Sequence, residues 1–191
     1  MSLTGPCTTI DVRLLAAAGA FVLCAGAPLR AQGAECTPSV AASSKLHDKP
    51  VHVYTIDSAQ TDARLHGGRP TVSESIWTGT VNYVLVRGKW RKSPVDMAAM
   101  RNTVRDAATA AKVKATCAHL RDENVNGEPA AVWRIHSVSE VGTSDTDMWI
   151  SRRSGLLLKS DYYQDVGGAL GKSHLVSRYE YTNVRPPAGV Q

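Results

Sequence analysis

The feature that most constrains this fold is a recurring alternation of apolar and polar residues, cut at short intervals by turn-forming pairs. Residues 71–92, TVSESIWTGTVNYVLVRGKWRK, carry it most clearly. Trp77, Val81, Tyr83 and Leu85 share one parity, while Thr78, Thr80 and Asn82 share the other. A period of two buries one face of a strand and wets the other. Thr78-Gly79 bends or breaks the first segment, and Arg87-Gly88 turns the chain before Lys89-Trp90-Arg91. Two or three short antiparallel strands are expected there. Residues 51–56, VHVYTI, read as an earlier strand, and 57–70 as a loop or weak hairpin.

The same texture returns after Cys117. Asn126-Gly127 is a strong hairpin signal ahead of an apolar segment at 130–138. Residues 147–151 and 156–163 flank Arg152-Arg153-Ser154-Gly155, which has the length and terminal Gly of a turn. Residues 166–173 read as another turn, and 174–182 as a last strand with Leu175, Tyr179 and Tyr181 on one parity. Pro186-Pro187 ends the ordered chain.

One helix interrupts the strands. Ser93-Pro94-Val95-Asp96 places a hydroxyl at the N-cap, Pro at the first position and a carboxylate at the third. Met97, Met100, Val104, Ala107, Ala108 and Ala111 then recur at helical spacing, opposite Arg101, Arg105 and Lys112. The sum is α+β: a curved antiparallel sheet packed on one main helix.

The first residues stand apart. Residues 14–27, LLAAAGAFVLCAGA, form an uninterrupted apolar run after Arg13. That suits a signal-peptide core and falls short of the roughly 20 residues a bilayer-spanning helix needs. Small residues follow, so cleavage is expected near Gly33-Ala34, with 1–33 removed and the product periplasmic or secreted. Neither Cys24 nor Cys36 follows the Leu-small-small pattern of lipid attachment. Residues 34–49 read as a linker tethered at Cys36, 50–187 as one sheet-plus-helix domain, and 188–191 as a tail.

Removing residues 1–33 leaves Cys36 and Cys117. In an oxidising compartment the two are expected to pair, closing a loop of about 80 residues for roughly 4.5 kcal/mol. A reactive thiol at Cys117, two residues from His119, is the competing arrangement, though no third group orients it.

Motifs for other chemistry are weak. Residues 166–173, VGGALGKS, carry Val166 where a phosphate loop needs Gly, and they precede a strand rather than a helix. Six histidines show no metal-ligand spacing, so no metal or other cofactor is expected. No nucleophile elbow occurs; a hydrolase would need Asp161, His136 and Glu140 to converge. The net charge of +5 is modest. Its one cluster, Arg87-Gly88-Lys89-Trp90-Arg91-Lys92, sits at a turn, where a solvated tip is expected rather than a nucleic-acid site.

The aromatics say more. The single Phe leaves with the signal, whereas four Trp and six Tyr remain. Their polar atoms need partners, which favours positions near a cavity, an edge or water. Trp77, Tyr83, Trp90, Met97, Met100, Val104, Trp133 and Trp149 are the expected lining of an apolar pocket between sheet and helix.

The C-terminal half also resembles a known group. Trp149-Ile150-Ser151-Arg152-Arg153-Ser154-Gly155-Leu156-Leu157-Leu158-Lys159 is similar to a W-I-(D/S)-x-x-(T/S)-G-L-x-L-(K/R) hairpin. Tyr179 to Val184 is similar to the Y-x-(F/Y)-x-N-(I/V) strand that follows it. Both resemble exported proteins of the lipoprotein-carrier superfamily, the LolA-, LolB-, RseB- and LppX-like proteins. The resemblance spans residues 50 to 187 and is specific over 147–184. It implies an incomplete antiparallel β-barrel closed by helices, with a cavity that holds acyl chains or senses a partner. The partners it implies are a lipid, a lipidated protein or another envelope protein.

Overall fold

The computed structural model describes residues 34–46, 49–58, 70–79, 81–95, 99, 113–140, 142–165 and 172–190. Nine strands form one antiparallel sheet: β1 (Val51–Asp57), β2 (Thr71–Trp77), β3 (Asn82–Val86), β4 (Lys89–Lys92), β5 (Lys114–Val125), β6 (Glu128–Ser139), β7 (Gly142–Ser151), β8 (Leu157–Asp165) and β9 (Lys172–Glu180). Their spatial order is β4-β3-β2-β1-β9-β8-β7-β6-β5. Two meanders therefore meet where β9 pairs with β1. The sheet is curved and does not close, because β4 and β5 remain its two edges.

Turn chemistry explains the hairpins. Arg87-Gly88 and Asn126-Gly127 each hold two successive positive φ angles, 51° and 74° and then 52° and 84°. That is the turn geometry whose twist matches paired strands. The Arg152 to Gly155 tip ends on Gly155 at φ 69°, with its N–H donating to Ser151 O at 2.9 Å. Ser151 Oγ accepts the N–H groups of Arg153 and Ser154 at 3.2 and 2.9 Å. This hairpin stands as expected, but Arg152 is not simply solvated. It forks onto the carboxylate of Asp122 on the neighbouring hairpin.

Three expectations need correction. Residues 34–45 are not a linker: Ala34–Cys36 form a 3-10 turn, and Thr37–Lys45 form a helix, α1. Pro38 opens α1, and Ser39, Ala42, Ser43 and Leu46 are buried beneath it. Small side chains let this helix lie close on the sheet, so it lacks the large apolar stripe that would mark it in sequence. Next, Trp77 does not share a face with Tyr83 and Leu85. The turn fixed by Thr78 N donating to Val81 O pairs Trp77 with Asn82 and resets the parity. Last, Lys172 and Ser173 belong to β9, paired with Asp165 and Gln164, rather than to a loop. The expected helix with Met97, Met100 and Val104 lies outside the described residues.

The core sits between α1 and one face of the sheet. Leu46, Val51, Val53, Trp77, Cys117, Ile135, Met148, Ile150, Leu157 and Tyr179 form one buried cluster there. A disulfide joins Cys36 to Cys117, so the tether is present and Cys117 is no free nucleophile. At the other end of α1, Lys45 Nζ reaches Ser154 O at 3.4 Å. The two attachments fix the helix at both ends.

Candidate functional site

Alternation along paired strands assigns every side chain to one of two faces. Trp77 and Trp133 lie on the face that α1 covers. Tyr83, Trp90 and Trp149 lie on the far face, in register with Ile76, Leu85 and Val132 respectively. One pocket on the helix face is therefore not lined by all of them. Met97, Met100 and Val104 lie outside the described residues.

The far-face aromatics have local duties. Trp90 meets the edge of His52, which stacks on Tyr54 with ring centroids 4.1 Å apart. Trp149 is buried against Ala130 and Val132, under the ammonium of Lys159, 4.1 Å from its ring. Its indole N–H donates to the carboxylate of Glu123. That bond, with Arg121 beside it, holds the Glu123 carboxyl below its usual range.

On the helix face the ladder draws a line that sequence reading missed. Ser73, Thr55, Ser177, Ser160, Met148, Trp133 and His119 are successive register partners across β2, β1, β9, β8, β7, β6 and β5. Four adjacent strands thus place a Ser or Thr in one row. Thr55, Ser177 and Ser160 are buried. Thr55 and Ser177 hydroxyls bond at 2.9 Å, and Ser160 bonds the Tyr179 hydroxyl at 3.1 Å. Buried hydroxyls that bond each other lose their desolvation penalty, so the row is polar in name and nearly neutral in effect. Burial pushes the phenols of Tyr179 and Tyr181 well above their ordinary range, which keeps both uncharged. Tyr181 donates to Leu157 O at 2.9 Å.

The face is graded along the strands. Toward the Lys45 end of α1 it carries Val51, Ile150 and Leu157; in the middle comes the hydroxyl row; beyond lie Leu175, Tyr162, Thr146 and Ile135, level with Cys117 and its bond to the N-terminal end of α1. Only periodicity plus register reveals this row. Each serine alone looks like any strand serine.

His136 faces Asp145 at 2.8 Å, and His174 faces Asp161 at 2.8 Å. The trio of Asp161, His136 and Glu140 does not assemble, since its acid and base each pair elsewhere. His52 faces Glu74 and His119 faces Asp122. Among the described residues, no group of three His, Cys, Asp or Glu side chains converges on a metal position.

No family model and no curated protein matches the chain. Solved structures do. The chain is similar to the lipoprotein LppX of Mycobacterium tuberculosis at 13% identity, over 80% of this chain and 96% of that one, with a TM-score of 0.44. It is similar to MucB at 12% identity, over 84% of this chain and 64% of MucB, with a TM-score of 0.42. The chain thus spans less than two thirds of MucB, which has also been crystallised in complex with MucA(peri). A LolA superfamily protein of Nitrosomonas europaea is similar at 8% identity, over 78% of this chain and 94% of that one, with a TM-score of 0.28.

Proposed function

We propose that this chain is an exported cell-envelope protein that binds an apolar or amphipathic ligand, a lipid, acyl chain or lipidated protein, against the helix face of its sheet. The hydroxyl row carries the reading. Interiors pack to crystal-like density, and large side chains do that filling. Where four adjacent strands offer only Ser and Thr, with Trp133 and Tyr162 half-buried beside them, a cover over the sheet leaves room for a guest. Met97, Met100 and Val104 are proposed as further lining, and Met suits a wall that adapts. Trp77 and Trp133 are its aromatic lining on the sheet side.

Export is supported by the apolar run at 14–27 and by the Cys36–Cys117 disulfide. Among the described residues, no helix is long and apolar enough to cross a membrane. Residues 1–33 are the proposed signal, cut near Gly33-Ala34.

The test is titration of the delipidated protein, residues 34–191, with a long-chain fatty acid while Trp emission is followed. Saturable binding is expected, lost in Trp133→Lys. Absence of any saturable uptake overturns the reading. One observation favours an alternative, a partner-binding module with a filled core: next to α1, Leu46, Val51 and Leu157 are sealed completely. Native mass spectrometry of the protein from a periplasmic extract separates the two, by an adduct of lipid mass or of protein mass.

A further inference from the structure

The far face carries ions along most of its length, but one end is apolar. There Ala130, Val132 and Trp149 are buried, with Val125 and Leu158 packed on them. The ladder explains why this end is open. Leu158 is an extra residue on β8, where the register to β7 jumps from Trp149↔Lys159 to Ile150↔Leu157. A bulge bends its strand away from the pairing line. The β8–β9 register accordingly stops at Lys159↔Arg178, while β9 stays on β1 through His52↔Glu180. Past that point the sheet parts, and a cleft of about 470 Å³ occupies the parting. That volume suits a small ligand.

The cleft has two kinds of wall. Val125, Leu156 and Leu158 are apolar, and two of them continue into the Trp149 cluster. Arg178 and Glu180, exposed on the same side of β9, bring opposite charges to it, together with Glu128. Arg178 and Glu180 make no ion pair with each other. Arg178 stands opposite Lys159 in the ladder, but the Lys159 ammonium lies over the Trp149 ring, so Arg178 is the cation that lines the cleft. An anion entering the cleft meets Arg178. A purely anionic ligand also meets Glu180 and Glu128, and a purely cationic one also meets Arg178.

We propose that this cleft binds the head group of a zwitterionic amphiphile. Its phosphate or carboxylate takes the Arg178 guanidinium, its ammonium takes Glu180, and its first methylenes lie on Val125, Leu156 and Leu158. The cleft lies at the end of the sheet, where Tyr179 and Tyr181 of the helix-face cluster also line it, and it does not include Trp77 or Trp133 of the proposed acyl-binding wall.

The test is calorimetric titration of the protein, residues 34–191, with a short-chain phosphatidylethanolamine below its micelle concentration. The matching phosphatidylglycerol and inorganic phosphate run in parallel. Phosphatidylethanolamine is expected to bind saturably and about tenfold more tightly than phosphatidylglycerol, the value of one charge-assisted hydrogen bond. Arg178→Ala should weaken it about tenfold, and Glu180→Gln should erase the preference between the two lipids. Both side chains are exposed, so circular dichroism of the variants should match the parent. Equal binding of the two lipids, unchanged binding by Arg178→Ala, or displacement by inorganic phosphate at similar concentrations overturns the proposal. Fatty-acid uptake that survives in Arg178→Ala shows that the helix-face site is a separate matter.

Discussion

On the helix face of this sheet the buried polar groups include hydroxyls bonded to one another, as in Thr55 with Ser177 and Ser160 with Tyr179. On the far face are charged and ionisable side chains. Arg134 forks onto Asp147, His136 meets Asp145 and His174 meets Asp161. The same backbone and the same alternation carry both. What differs is the medium each face was built for. Hydroxyl pairs cost little to keep dry, whereas ion pairs need solvent to be cheap.

The contrast predicts a ranking of effects, measured as unfolding free energy by denaturant titration. The largest follows from breaking the tie that holds α1 on the helix face. Replacing Cys36 and Cys117 together by Ser should cost about 4.5 kcal/mol for a loop of this length. Next comes Leu157→Ala, beneath α1 and almost sealed from water. It should cost about 3 kcal/mol, more than Arg134→Ala on the far face. Equal costs at the two sites would erase the distinction between the faces.

Gly155→Ala tests the second attachment of α1. A Cβ there meets Lys45 Nζ at 2.8 Å, and φ is +69°. Lysine can swing away, so the backbone sets the cost, about 1 kcal/mol. Arg134→Ala should stay within about 1 kcal/mol, because Arg134 is half-exposed and surface ion pairs contribute little.

The smallest effect is electrostatic. Asp122 is held below the usual carboxylate range, first by its hydrogen bonds from Arg152 and then by His119. A carboxyl depressed in the folded state favours folding above its unfolded value, and that contribution fades as pH falls through the folded one. Arg152→Ala should therefore raise the Asp122 carboxyl in an NMR titration and flatten stability on the acid side. No movement would mean that the hairpin tip and Asp122 are not coupled in solution.

The strands were readable because alternation and the turn pairs Arg87-Gly88 and Asn126-Gly127 are local signals. So was the tip at Arg152 to Gly155. Three features depended on information outside any local window. α1 holds itself to the sheet with Ser39, Ala42 and Ser43, which fit closely without being hydrophobic enough to stand out. The Thr78 to Val81 turn resets the parity between Trp77 and Tyr83, so an aromatic lining that alternation alone puts on one face occupies two. The bulges at Leu120 and Leu158 shift register, and register is a property of two strands rather than one. The hydroxyl row is the same kind of fact. Ser73, Thr55, Ser177 and Ser160 lie far apart in the chain and align only through three separate pairings.

The most direct measurement is photo-crosslinking with a fatty acid that carries a diazirine near its methyl end, followed by peptide mapping of the adducts. Labelling is expected to saturate, to be competed by unlabelled fatty acid, and to fall on helix-face peptides containing Trp77, Trp133 or Ser177. Adducts confined to far-face side chains such as Tyr83, Trp90 and Arg134, or labelling that never saturates, would contradict binding on that face.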